Sequence, residues 1–190
     1  MDKYLWLLAG GNGAGKTTFF NTFLKPKGIA FVNADEIAKA LFSDEAEKYS
    51  YEAARIAENM REDLLSNGRS FCFETVFSHP SKIDFVAKAK ALGYQIHLVF
   101  IHVDNTELNV ARVTNRVDQG GHSVPEDKIH ARIPRTLKNV AVAAQLSDNF
   151  IVFNNSSLEK PFQKMLTIKN GVITQQSDDL PNWCKVFVAQ

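Results

Sequence analysis

Gly10-Gly11-Asn12-Gly13-Ala14-Gly15-Lys16-Thr17-Thr18 is the stretch that decides the fold of this 190-residue chain. It fits the pattern G-x-x-x-x-G-K-[ST] of a phosphate-cradling loop, the P-loop. Ahead of it, Tyr4-Leu5-Trp6-Leu7-Leu8-Ala9 is apolar enough for a strand buried on both faces. Behind it, Thr17 to Leu24 opens a helix. Glycines let the backbone curl so that successive N–H groups point at phosphate oxygens. The helix N-terminus adds partial positive charge. Gly10, Gly11, Asn12, Gly13, Ala14, Gly15, Lys16, Thr17 and Thr18 are therefore the expected nucleotide contacts. Lys16 supplies a full charge for the β- and γ-phosphates, Thr17 a hydroxyl for Mg²⁺, and Thr18 reaches the α-phosphate.

Composition narrows the classes. A formal net charge of +1 gives no global field to recruit nucleic acid or a membrane surface. Cys72 and Cys184 form no metal spacing, and Cys72 between Phe71 and Phe73 reads as a reduced core thiol. The apolar N-terminal run is too short for a signal peptide, and no segment approaches transmembrane length. The expected compartment is the cytoplasm. No Asn-Lys-x-Asp stretch for guanine recognition occurs, nor the Leu-Ser-Gly-Gly signature of transport ATPases.

Strand-like runs alternate with helical patterns, which predicts an α/β fold: a three-layer P-loop NTPase with a five-stranded, mostly parallel sheet. The expected strands are Tyr4–Ala9, Gly28–Val32, Ser70–Phe73, Tyr94–Val103 and Asn149–Phe153. A helix is expected from about Asp44 to Ser66, with Tyr49, Ala53, Ile56, Ala57, Met60 and Leu64 as its apolar stripe and Asn67-Gly68 as its stop. Ser81–Leu92, Thr106–Val117 and Glu126–Leu146 follow as helices, the last kinked at Pro134. Met165–Ile168 and Val172–Thr174 around Asn170-Gly171 read as a small β-hairpin. The chain is expected to be one domain, with a core over 1–155 and a C-terminal appendage over 156–190.

In open α/β sheets ligands bind beyond the carboxyl ends of the strands. Those ends offer Asn33-Ala34-Asp35, Glu74-Thr75, His102 with Asp104 and Asn105, and Asn154 to Ser157, with Asn154 a nucleotide contact. Asp35 follows the strand after the P-loop helix, where a carboxylate can take the proton of an attacking hydroxyl; otherwise it caps the next helix. Glu74 beside Thr75 suits sugar or ribose hydroxyls, or else supports Mg²⁺. Asp104 ends an apolar strand as a Mg²⁺-holding aspartate does, or caps the following helix. Arg112 and Arg116 share one helix face and lead into the loop of Gly120, Gly121 and His122, with Arg132 and Arg135 beyond it. This reads as a lid whose arginines neutralise phosphate charge, with His122 turned inward.

These residues in this order resemble the zeta-toxin family of P-loop kinases, in its chromosomal zeta-like branch, from about Leu5 to Asn155. The marks are the P-loop, Asn33-Ala34-Asp35-Glu36-Ile37-Ala38, Phe73-Glu74-Thr75, Arg112 to Val117, Gly120 to Pro125, and Arg132. The resemblance implies ATP- and Mg²⁺-dependent phosphorylation of a sugar nucleotide, the 3′-hydroxyl of the amino sugar in UDP-N-acetylglucosamine. It implies Lys16 on the phosphates, Asp35 as general base, Glu74 and Thr75 on the sugar nucleotide, and Arg112 or Arg116 on the γ-phosphate. It also implies a cognate antitoxin protein. Two departures stand out. Family toxins carry a glycine between the acidic residue and the threonine that are adjacent here as Glu74 and Thr75. His122 stands where they place a second arginine, with Arg132 as its substitute. Another hydroxyl acceptor, such as a nucleoside or an antibiotic, and a nucleotide-dependent switch acting through a partner are the alternatives.

Overall fold

The computed structural model describes residues 2–42, 45, 47–118 and 123–188. The chain runs β1 (Tyr4–Ala9), α1 (Lys16–Phe19), β2 (Ala30–Val32), α2 (Ala34–Phe42), α3 (Ser50–Ser66), β3 (Phe71–Thr75), α4 (Ser81–Ala91), β4 (Gln95–His102), α5 (Thr106–Asp118), α6 (Glu126–Leu146), β5 (Asn149–Asn154), β6 (Gln163–Lys169) and β7 (Val172–Gln176). A π-helical turn (Phe20–Leu24) and a 3-10 turn (Lys25–Lys27) prolong α1, and a 3-10 turn (Asn182–Phe187) closes the chain. The sheet order is β2-β3-β1-β4-β5-β6-β7. The first five strands are parallel, and β6 and β7 are antiparallel.

The sheet therefore has seven strands, where the sequence predicts five plus a separate hairpin. The hairpin pairs with β5 and covers what would be an exposed edge. The helix expected from Asp44 begins at Ser50, and α6 runs through Pro134 as one element. β3 extends two residues past its expected end, which has consequences for the site. Its parallel register sets Glu74 opposite Leu8 and Thr75 opposite Ala9, level with the last residues before the glycine loop.

Alternation along the central strands sorts the core into two layers. Leu5, Leu7, Phe71, Phe73, Ile96, Leu98, Phe100 and Phe150 face one side, with Ala57 and Leu65 of α3, Val86 and Ala89 of α4, and Val140 and Ala143 of α6. Leu8, Cys72, Val99 and Ile101 face the other, against Phe19, Phe20 and Leu24. Both cysteines are buried and free, and burial pushes the Cys184 thiol up to about 12.

The closing turn belongs to the first layer. Phe187 sets its ring 5.1 Å from Phe150 and 5.6 Å from Phe100. Beside it, Trp183 tilts over His102 at 4.4 Å and donates its indole N–H to the Asp104 carboxylate. Burial drives His102 down to about 4, against the opposing pull of Asp104. On β1, Trp6 stacks flat on His97 at 4.3 Å.

Candidate active site

The glycine loop joins β1 to α1 and needs its glycines for two separate reasons. Gly13 and Gly15 have φ of 74° and 99°, in the left-handed region that side chains rarely adopt. A Cβ on Gly13 would also stand 2.7 Å from the Asn109 carbonyl, and one on Gly15 2.5 Å from the Asn155 amide. Those two asparagines brace the loop from outside. Asn109 of α5 donates to the Asn12 carbonyl at 2.7 Å. Asn155, just past β5, donates to the Ala14 carbonyl at 2.9 Å, while its own side-chain oxygen accepts from the Phe162 amide.

Over the carboxyl ends of β1, β2 and β3 lies a cleft of about 620 Å³. Asn12, Gly13, Gly15, Lys16, Thr17, Thr18, Asp35, Glu74, Thr75, Arg112, Arg116 and Arg132 all line it. Lys16 is buried, and its ammonium donates to the Gly10 and Gly11 carbonyls at 3.0 and 2.9 Å, with Glu74 at 3.6 Å. Desolvation pulls its pKa down and Arg116 adds to this, while Glu74 and then Asp35 act in the opposite sense. The charge of Lys16 is thus held in place mainly by Glu74.

Glu74 does more than balance Lys16. One carboxylate oxygen accepts from the Thr17 hydroxyl at 2.6 Å and from the Asn33 amide at 3.0 Å. The Thr17 proton is thereby taken, and its lone pairs are left to face the cleft. Thr17, Glu74 and Asp35 are hard oxygen donors of the kind Mg²⁺ takes, so the residues present fit a nucleotide-bound Mg²⁺. Thr75 Oγ1 accepts from the Phe77 amide at 3.1 Å and keeps its own proton to donate.

Asn33 also settles which residue caps α2. Its side-chain oxygen accepts from the amides of Asp35 and Glu36 at 2.8 and 3.3 Å. Asp35 is therefore not the cap; it stands exposed in the first helical turn and lines the cleft.

Of the arginines, Arg112 donates to the Asn155 carbonyl at 2.9 Å, and desolvation lowers its pKa. Arg132 of α6 reaches the Asn12 side chain at 3.3 Å. The expected inward His122 lies outside the described residues. Asn154 is not brought to the cleft: its amide pairs with Asp104 at 3.0 Å and its oxygen with Ser156, so Asn155 occupies the position beside the loop. Asp104 also takes the Trp183 N–H and is not among the residues lining the cleft, while Asn105 caps α5 through the Glu107 amide.

Two lining residues that sequence reasoning passed over are Arg61 of α3 and Lys82 of α4. Arg61 follows Ala53 and Ala57 at helical spacing, and all three are buried with Leu65. An arginine in an apolar stripe was the available signal.

Known proteins share the fold. A protein of Haemophilus influenzae (strain ATCC 51907 / DSM 11121 / KW20 / Rd), itself uncharacterized, is 28% identical over 137 residues, covering 68% of this chain and 97% of that one. A chain of the crystal structure of AvrRxo1-ORF1:-ORF2 with ATP superposes with a TM-score of 0.73 at 18% identity, over 91% of this chain and 60% of that one. A chain of the PezAT chromosomal toxin–antitoxin system of Streptococcus pneumoniae superposes at 0.57 with 16% identity, over 80% of this chain and 67% of that one. These two likenesses are of fold. The zeta toxin family model matches residues 2–164, and the chain belongs to the zeta toxin family.

Proposed function

We propose that the chain is an ATP-dependent phosphotransferase, and that its acceptor is a hydroxyl of UDP-N-acetylglucosamine. The observation that carries this is the division of work between Asn33 and Asp35. Asn33 caps α2, so the Asp35 carboxylate is spared for a substrate proton on the same cleft as Lys16. Backbone amides of the loop and Lys16 would hold the β- and γ-phosphates, and Arg112, Arg116 and Arg132 would balance charge on the phosphoryl group. Thr17, oriented by Glu74, would hold Mg²⁺ together with the nucleotide, and the ion would neutralise charge between the β- and γ-oxygens. Asp35 would take the proton of the acceptor hydroxyl and align its oxygen with the γ-phosphorus. Thr75 would donate to the acceptor.

Kinship with a toxin–antitoxin system supports a protein antitoxin as partner. A cytoplasmic setting goes with this reading, since ATP and the sugar nucleotide meet there.

The test is transfer of labelled γ-phosphate from ATP to UDP-N-acetylglucosamine. Asp35→Asn should bind ATP as wild type does and lose about a hundredfold or more in kcat. Wild-type turnover by that variant would remove Asp35 as the base. Transfer by wild type to a nucleoside or an antibiotic, with none to UDP-N-acetylglucosamine, would reassign the acceptor.

A further inference from the structure

Arg61 and Lys82 line the cleft on its β3 side, away from the arginines of α5 and α6. Arg61 is only 8% exposed. Its guanidinium lies 5.2 Å from the centre of the Phe73 ring and 5.8 Å from that of Phe85, and its Nε has no hydrogen-bond partner among the described residues. Lys82, in the first turn of α4, is half-buried beside it. Both pKa values are lowered by desolvation, and the charge of Arg61 pushes that of Lys82 down further. Glu58 acts in the opposite sense on both groups and Glu62 on Arg61, each a smaller influence than desolvation, and neither carboxylate is ion-paired with Arg61 or Lys82 among the described residues. Glu62 is taken by Lys88 at 2.6 Å, and Glu58 is exposed.

Two like charges drawn out of water without a bound carboxylate are unfavourable unless an anion joins them. The aromatic faces fix the plane of the guanidinium, so its donors are presented rather than searching. We propose that Arg61 and Lys82 form an anion subsite on the acceptor side of the cleft, which takes a phosphate or diphosphate group of the acceptor molecule. The inference rests on the phosphotransferase reading and narrows it. The acceptor carries phosphate, as a sugar nucleotide does and a nucleoside or a cationic antibiotic does not. A guanidinium fork beside a point charge matches phosphate oxygens, and the closest competing chemistry is a carboxylate.

The test uses the full chain with its loop filled by a non-hydrolysable ATP analogue and Mg²⁺. Inorganic phosphate is titrated in, with acetate in parallel, and backbone amide shifts are followed by NMR. Saturable shifts around Arg61 and Lys82 are expected with phosphate, weaker by about tenfold in Lys82→Gln. Arg61→Lys keeps the charge and loses the fork, and should weaken phosphate as well. Affinity for the ATP analogue should stay within about twofold in both variants. An absence of saturable shifts, shifts untouched by either variant, or an equal response to acetate would overturn the subsite. So would a parallel loss of the ATP analogue. Failure of wild type to phosphorylate UDP-N-acetylglucosamine would sink that acceptor alone, since the phosphate titration does not depend on it.

Discussion

Asn33 sits at 6% exposure between two jobs, accepting from the first amides of α2 and donating to Glu74. Removing it should therefore act twice. Asn33→Ala loses an N-cap, worth about 1 kcal/mol, and frees one oxygen of a carboxylate that orients Thr17. The expected outcome is a lower urea midpoint by about that amount together with a fall in kcat of about tenfold. A drop in stability with kcat unchanged would mean that Glu74 holds Thr17 without help. That Lys16, Thr17, Asp35, Glu74 and Thr75 line one cleft was legible in the sequence, because each comes at or just beyond the end of an apolar run that marks a strand. Arg61 was not. The apolar count over α3 favours Met60, yet Met60 is 42% exposed and Arg61 takes the inward position. A stacked guanidinium can occupy a core stripe, and hydrophobicity scales do not register that.

Among the elements, the segment just past β5 is cross-linked through one residue, Asn155. The Asn155 side chain bonds the Ala14 carbonyl and the Phe162 amide, and its backbone carbonyl receives Arg112. Phosphate loop, α5 and the approach to β6 are thus tied at one residue. Asn155→Ala would leave a buried carbonyl and an amide unpaired, at about 1–3 kcal/mol apiece. Thermal unfolding should fall by several degrees, and ATP affinity should drop about tenfold as the loop loses its brace. ATP affinity equal to wild type would show that Asn109 braces the loop alone. The sequence reading selects Asn154, and the structure sets Asn155 beside the loop instead. Successive residues of a strand point to opposite faces, so the choice hangs on one residue of strand boundary. The same sensitivity bears on Glu74 and Thr75, which lie within β3, where their register against β1 sets their height over the loop.

For the molecule as a whole, the parallel core follows from the alternation of apolar runs and helices and was legible, whereas the order of its strands was not read from the sequence. The joining of the hairpin to β5 was not, because antiparallel pairing to an existing edge leaves no local mark in either partner. The closing turn was missed for a related reason: Cys184 and Phe187 reach core that was laid down by strands far earlier in the chain. Phe187 is 3% exposed, so Phe187→Ala should cost about 3–5 kcal/mol. Denaturant unfolding would read this as a shifted midpoint with an unchanged slope. A change under about 1 kcal/mol would mark the turn as loosely held.

The chain has two tryptophans, and each rests on an imidazole, Trp6 on His97 and Trp183 on His102. A neutral imidazole leaves indole emission largely intact, whereas a protonated one quenches it by accepting charge from the excited ring. Burial lowers the pKa of both histidines, which favours the neutral ring and, with it, emission from both indoles. As acid reaches the His102 ring near pH 4, the brightness of Trp183 falls. The folded protein thus carries its own optical gauge of proton entry at the carboxyl end of β4, with no dye attached.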